Sequence, residues 1–157
     1  MDTTNNDLWP VSKFHFLVTI AGGSVTGDIS FQEVSGLDQE TDVMEYRHGD
    51  NPAFGTIKKP GLVKSTNVVC KKGIFKNDKR ITDMFNDIYN KKYYYEKSER
   101  MQITIKLLDE AGNPIMTWEL TNAFPMKLTG TDLKSDASEI AVESLEFAHE
   151  GIKATMV

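Results

Sequence analysis

Several short segments of the chain place apolar side chains at every second position, and this alternation limits the fold more than any other feature. The segment KFHFLVTI carries Phe14, Phe16, Val18 and Ile20 in this pattern. Neighbouring side chains of a strand point to opposite faces, so the period predicts a half-buried β-strand. The same period returns in RMQITIKLLD and in IMTWELTNAF, on either side of residues 109–114. This arrangement predicts two antiparallel strands joined by a hairpin turn.

Further strands are predicted from composition and from the turn residues around them. They cover residues 28–34, 42–47 and 63–72, with a bend or bulge at 35–37. The segment FPMKLTG predicts a short strand interrupted by Pro125, which suits an edge or a bend because proline cannot donate to a ladder.

One segment has the period of a helix. Ile81, Met84, Phe85 and Ile88 fall at positions i, i+3, i+4 and i+7, so we predict a helix over about 78–92. A single helix must lie on a sheet. The predicted fold class is mainly β, an antiparallel sandwich or barrel of six to eight strands with one α-helix.

The last predicted element, in residues 138–150, allows two interpretations. Ile140 and Leu145 lie on opposite faces of a strand, so a strand needs a bulge or strong twist near Glu143 and Ser144. A helix is the alternative, ranked second.

Length and charge narrow the function. The 157 residues predict one domain over 1–157, with a flexible arm at 1–12. The 18 basic and 23 acidic residues give a net charge of −5, which argues against specific nucleic-acid binding. We expect neither a signal peptide nor a membrane anchor, and synthesis in the cytoplasm. Cys70, the single cysteine, is expected to be a buried thiol.

Candidate catalytic chemistry is sparse. His15, His48 and His149 have no second histidine at the spacings typical of metal sites. The cluster EYRHGD, residues 45–50, combines acid, base and cation, but salt bridges explain it better than catalysis does. We therefore predict no catalytic, cofactor-binding or metal-binding residues, and no enzyme activity.

The aperiodic segment GDNPAFGTIKKPG, within 48–61, predicts a long extended loop of a kind that often serves binding. An open β domain also leaves strand edges whose N–H and C=O groups can pair with another chain. Loop and edges together favour a self-assembling subunit.

The order of segments resembles the tail tube protein family of contractile phages and phage-like contractile injection systems. The resemblance rests on F-x-V-x-I, F-Q-E-V-S-G-L-D-Q-E, E-Y-R-x-G, K-K-P-G-L-V-K, K-K-G-I-F, I-T-I-K-L-L-D-E-A-G-N-P, W-E-L-T-N-A-F-P-M-K-L-T-G and E-I-A-V-E-S-L-E-F-A-H-E-G, from about Phe14 to Gly151. Within that family, the chain looks more like the inner tube subunits of extracellular contractile injection systems and related type VI particles.

The resemblance implies a non-enzymatic building block. Such subunits form hexameric rings with a continuous inner β-barrel, and the rings stack into a tube inside a sheath. The implied partners are other copies of the chain, the sheath protein, the baseplate and spike, the tube terminator and protein cargo in the lumen. The particle is assembled in the bacterial cytoplasm and is then released or anchored to the envelope.

The resemblance also suggests two sets of site residues. The first set would dock one ring on the next through the 48–61 loop: Glu45, Tyr46, Arg47, His48, Asp50, Asn51 and Phe54. The second set would line the lumen with negative charge: Glu33, Asp38, Glu40 and Asp42.

Three alternatives stay open at this point. The chain could be the tail tube protein of a contractile-tailed bacteriophage, which neighbouring genes would reveal. A monomeric β-barrel ligand-binding module would show a closed, ligand-sized cavity. An enzyme would bring one of the histidines against a carboxylate.

Overall fold

The fold is seen in a computed structural model that describes residues 15–22, 26–50, 52, 55–74, 79–89, 100–136 and 139–156. This part of the chain contains ten strands and one helix. In chain order they are β1 Phe16–Ala21, β2 Gly27–Ile29, β3 Glu33–Ser35, β4 Gln39–Tyr46, β5 Ile57–Ser65, β6 Val68–Gly73, α1 Arg80–Tyr89, β7 Met101–Leu108, β8 Pro114–Thr129, β9 Val142–Ala148 and β10 Gly151–Met156.

Two antiparallel sheets share one long strand. The first sheet has the order β2, β1, β7, β8, β10, and the second has the order β3, β6, β9, β8. The amino-terminal part of β8 pairs with β7 and β10, whereas its part from Phe124 onward pairs with β9. Asn122, between the two parts, has a φ of 49°. Asparagine tolerates this left-handed conformation better than most residues, so it suits the corner where β8 changes sheet.

The two sheets enclose one hydrophobic core. Fully buried side chains come from both, among them Val18, Ile103 and Leu120 on one side and Leu145 and Phe147 on the other. The alternation of the sequence supplies them, because every second residue of β1, β7 and β9 points inward. The fold is therefore mainly β and antiparallel with one helix, as predicted, although the described residues form ten strands rather than six to eight.

Helix α1 closes one side of the core. Ile81 and Met84 are buried in the hydrophobic cluster, as the predicted apolar stripe requires. The side chains of Phe85 and Ile88 lie outside the described part. The helix spans Arg80–Tyr89, within the predicted range of about 78–92.

Strands β4 and β5 stand apart from both sheets. They form an antiparallel hairpin of their own, which we call the ribbon. The pairing register shifts between Thr41 and Val43, so β5 carries an extra residue there. Gly61 lies at this bulge, where a side chain would crowd Asp42 and Met44.

The loop prediction for 48–61 was wrong at its carboxyl end. Strand β5 begins at Ile57 and contains both Pro60 and Gly61. Proline has no backbone N–H to donate. It is tolerated here because the ribbon has no further strand beside it among the described residues, so one edge of β5 needs no ladder hydrogen bonds. The described residues of the connection before β5 are 47–50, 52, 55 and 56, and none of them is in a strand.

Two predicted strands are each split in two. Residues 28–34 form β2 and β3, which belong to different sheets, so the chain crosses the sandwich between them. Residues 63–72 contain the end of β5 and the start of β6, because the chain leaves the ribbon for the second sheet at Thr66 and Asn67.

The carboxyl-terminal segment is a strand, β9, and not a helix. It pairs with β6 without a break, so the bulge predicted near Glu143 and Ser144 is absent from that ladder. The irregularity lies on its other neighbour, between Pro125 and Lys127 of β8. This part of β8 has β9 as its one described neighbour, which agrees with the edge predicted for Pro125. The predicted arm at 1–12 lies outside the described residues.

Candidate interface on the ribbon

The ribbon exposes a set of large apolar side chains. Six of them are each more than half exposed: Val43, Met44, Tyr46, Ile57, Leu62 and Val63. Scattered apolar residues are normal on a protein surface, but a contiguous set on one projecting element marks an interaction site.

Both faces of the ribbon are apolar. Tyr46 is paired in register with Ile57, and Met44 lies two residues before Tyr46, so these three share one face. Val43 lies on the opposite face, together with Val63, which is paired with Thr41. A ribbon packed against its own domain would need only one apolar face. This pattern therefore marks both faces as candidate contact surfaces.

The predicted docking residues lie at the end of the ribbon. Glu45 and Tyr46 end β4, and Arg47, His48 and Asp50 follow in the connection. The Tyr46 and His48 rings form an edge-to-face contact, with centroids 4.8 Å apart and planes at 87°. Such a contact fixes the aromatic pair relative to the strand end. Asn51 and Phe54 lie outside the described residues.

Charged side chains also face each other across the ribbon. Lys64 Nζ lies 2.7 Å from Asp42 Oδ1, and the hydrogen bond and charge of Asp42 raise the pKa of Lys64. Glu40 stands opposite Lys64, and Glu45 stands opposite Lys58. Cross-strand pairs of opposite charge favour this register over a slipped one.

The four predicted lumen residues are divided between two parts of the fold. Glu33 lies on β3, where its carboxylate is 3.7 Å from Lys71 Nζ. Asp38 is exposed just before the ribbon, and Glu40 and Asp42 lie on β4. Two of the four carboxylates are therefore partly neutralised by lysine within the same subunit.

The sheets have open edges. Among the described strands, β10 pairs with β8 alone, and residues Lys153 to Met156 are exposed. The part of β8 that contains Pro125 is also paired on one side only. Open edges of this kind can be extended by strands of another chain.

The histidines contact backbone oxygens and a ring. His15 Nδ1 lies 3.2 Å from the carbonyl oxygen of Asp109, and His149 Nε2 lies 2.8 Å from that of Thr66. Among the described residues, no group of three His, Cys, Asp or Glu could hold a metal ion. One concavity, of about 770 Å³, is an open groove lined by residues 129–135 and 139–142 rather than a closed cavity. Across all the residues that the structure describes, no helix has the length and apolarity to cross a membrane.

Apart from Tyr46, the exposed apolar residues of the ribbon were not predicted as contact residues from the sequence. Val43 and Met44 are adjacent, which breaks the alternation expected for a strand with one buried face. Ile57 fell within the predicted loop because of Pro60 and Gly61, whereas Val63 began the strand predicted over 63–72 without a sign of its exposure. Two adjacent apolar residues in an otherwise polar strand were the signal that could have found this surface.

Comparisons with known proteins agree over nearly the whole chain. The model of the family "T4-like virus tail tube protein gp19" matches residues 12–153. A chain of the sheath-tube complex of PVC, an extracellular contractile injection system, is 31% identical, with a TM-score of 0.82. The match covers 99% of the present chain and 100% of that one. No curated protein matches the chain.

Two further structures are similar. A chain of the tube terminating cap of the anti-feeding prophage AFP is 27% identical with a TM-score of 0.80, and both chains are covered completely. Hcp1 from Flavobacterium johnsoniae is 12% identical with a TM-score of 0.51, over 90% of the present chain and 96% of that one. At this identity, the Hcp1 match speaks for the fold alone.

Proposed function

The chain belongs to the T4-like virus tail tube protein family, and we propose on that basis that its copies form the inner tube of an extracellular contractile injection system. The observation that carries the proposal is the full-length match to a chain of the PVC sheath-tube complex. The tail of a contractile phage is the second candidate, because the matching family model is that of a viral tail tube.

In this proposal six copies close into a ring, and the rings stack. Ring closure would use the open sheet edges, because edge-to-edge pairing satisfies backbone groups that a lone subunit leaves to water. The sheath, the baseplate and the tube terminator are the partners, in keeping with the assemblies in which the similar chains occur.

The ribbon is the proposed contact between successive rings. Its two apolar faces need cover from other chains, and the polar residues at its end, Glu45, Arg47, His48 and Asp50, would set the docking register by complementary charge. Asn51 and Phe54 complete this proposed set. A building block with these contacts has no need of catalytic residues.

The proposed bore carries negative charge from Glu33, Asp38, Glu40 and Asp42, and protein is the proposed cargo. Sixfold repetition multiplies any charge that faces the bore, so even a partly neutralised set would act on a passing chain.

Negative-stain electron microscopy of the purified protein tests the tube function. We expect stacked six-membered rings at high protein concentration, together with a rise in mass by light scattering. A Val63→Asp variant should keep the circular dichroism of the wild type but form no stacks, because a charge would enter the apolar face of the ribbon.

Leu133→Asp is the matched control, because Leu133 is also apolar and largely exposed but lies outside the ribbon. Its tubes should resemble those of the wild type. Stacks of Val63→Asp that match the wild type would contradict the docking role of the ribbon. A wild-type protein that stays monomeric at every concentration, even with a preformed baseplate present, would contradict the tube function.

A further inference from the structure

The chain passes between the ribbon and the body of the subunit twice, at Gly36 before β4 and at Thr66 and Asn67 after β5. We call these three residues the root. Chain enters the ribbon after Gly36 and leaves it at Thr66. Neither ribbon strand pairs with either sheet. A two-stranded hairpin alone is only marginally stable and does not determine its own direction. The direction of the ribbon therefore depends on contacts at the root.

The first contact is between the two chain crossings. Thr66 Oγ1 donates a hydrogen bond of 3.0 Å to the carbonyl oxygen of Gly36. Gly36 has a φ of 86°, and a Cβ placed on it would overlap the carbonyl oxygen of Asn67. Only glycine allows this approach, so entry and exit lie directly against each other.

The second contact ties this pair to the second sheet. His149, just after β9, lies 2.8 Å through Nε2 from the carbonyl oxygen of Thr66. A carbonyl oxygen can only accept, so Nε2 carries the proton. Asn67 Nδ2 donates a hydrogen bond of 3.0 Å to Glu146 Oε1 of β9. Thr66 is thus held through its backbone carbonyl and Asn67 through its side chain.

The third contact ties the ribbon to the first sheet. Gln39, the first residue of β4, donates 3.0 Å from Nε2 to the carbonyl oxygen of Ile152 on β10. Leu37, two residues earlier, packs against the hydrophobic core. The root is therefore held by the second sheet and the start of the ribbon by the first.

We propose that His149 and Thr66 are positioning residues that hold the ribbon in its docking direction before assembly, although neither lies on the docking surface. The inference rests on the proposed function, because it takes docking as the purpose of the ribbon. Association is weakened by every group that must first be ordered, so a ribbon already held in place docks at lower protein concentration.

The test measures the direction of the ribbon in the unassembled subunit. Spin labels are attached to cysteines introduced by Glu45→Cys at the ribbon end and Gln102→Cys on β7, both exposed positions. Cys70 does not compete for the label, because burial raises the pKa of its thiol to about 12. Double electron–electron resonance on dilute protein then gives the distribution of distances between the two labels.

Four variants are compared, in the labelled background for the distances and in the otherwise unaltered chain for assembly, because Glu45 belongs to the proposed docking set. His149→Leu removes the ring donor, and Thr66→Val removes the hydroxyl. Because Thr66 is exposed, its variant should fold even if His149→Leu does not. His149→Gln restores an N–H donor of similar reach. His15→Leu is the control, because His15 contacts a backbone carbonyl far from the root, at Asp109.

We expect His149→Leu and Thr66→Val to broaden the distribution about twofold and to raise the concentration needed for tubes by about tenfold, the effect of one hydrogen-bonded contact. His149→Gln and His15→Leu should match the wild type. The inference is overturned if both root variants keep a narrow distribution, or if the ribbon loosens while assembly is unchanged. If the wild type forms no tubes, the proposed function fails, and the distances alone then decide whether the root positions the ribbon.

Discussion

At the scale of single residues, Gly36 is the position where backbone geometry matters most. Its positive φ and its approach to the Asn67 carbonyl both exclude a side chain. We expect Gly36→Ala to lower the free energy of unfolding by about 3 kcal/mol or more, from conformational strain and steric overlap together. Chemical denaturation followed by circular dichroism measures the difference.

Gly112 is the matched control for this substitution. Its φ of 87° is nearly the same, but a Cβ there would meet nothing within 4 Å. Gly112→Ala should therefore cost only the strain, about 1 kcal/mol. Equal losses in the two variants would show that the approach to Asn67 has no energetic weight.

At the scale of elements, the β7–β8 hairpin depends on the carboxylate of Asp109. This group accepts hydrogen bonds from the backbone N–H of Asn113 at 2.7 Å and of Ala111 at 2.9 Å. The bond from Asn113, followed by those from the rest of the turn, lowers the pKa of Asp109. The stabilisation is present above the pKa of an unfolded aspartate and is lost as the pH falls through the lowered folded value.

We therefore expect Asp109→Ala to lower Tm by a few degrees at neutral pH. The difference in Tm from the wild type should become smaller in acid. Thermal melts over a series of pH values measure this difference. Asp109→Asn keeps an acceptor without the charge and should fall between the two. A difference that does not change with pH would mean that the charge of Asp109 does not contribute.

The same hairpin shows how far sequence reasoning reaches. Strands β1 and β7 and the turn at Asp109 were predictable because one face of each strand is buried and the turn residues are diagnostic. Strand β5 was not, since both ribbon faces are exposed and carry no single apolar period. The split between β2 and β3 was also hidden, because periodicity is local and does not reveal which sheet a strand joins.

For the candidate interface, the outcome divides in the same way. The family resemblance placed Tyr46 and His48 in the docking set; both lie at the ribbon end, and their docking role stays a prediction. The apolar residues Val43 and Val63 were missed, because their exposure depends on the ribbon standing clear of the body. Root contacts such as His149 to Thr66 join residues 83 positions apart. No local pattern in one sequence reports such a pair.

At the scale of the whole molecule, the proposed charge of the bore makes a prediction about cargo. A variant with Glu33→Gln, Asp38→Asn, Glu40→Gln and Asp42→Asn should retain more of a small acidic reporter protein in its tubes than the wild type. We expect a change of about twofold or more at low salt, because like charges repel within a Debye length. Co-purification of the reporter with isolated tubes gives the ratio.

The control removes the same number of charges elsewhere. Glu110→Gln, Asp132→Asn, Asp136→Asn and Glu139→Gln are all exposed positions outside the proposed bore. If both sets change retention equally, the effect comes from net charge and the location in the bore is wrong. Unchanged retention in the first set would rule out an electrostatic role for these four carboxylates.

The composition of β5 has a consequence for the newly made subunit. An unpaired ribbon with apolar faces is the kind of element that nucleates aggregates by adding strands without limit. Lys58, Lys59 and Pro60 interrupt it with two charges and a residue that offers no N–H. Natural sequences use such residues to guard unavoidable apolar strands. The segment that hid β5 from prediction is thus also expected to oppose uncontrolled strand addition between free chains.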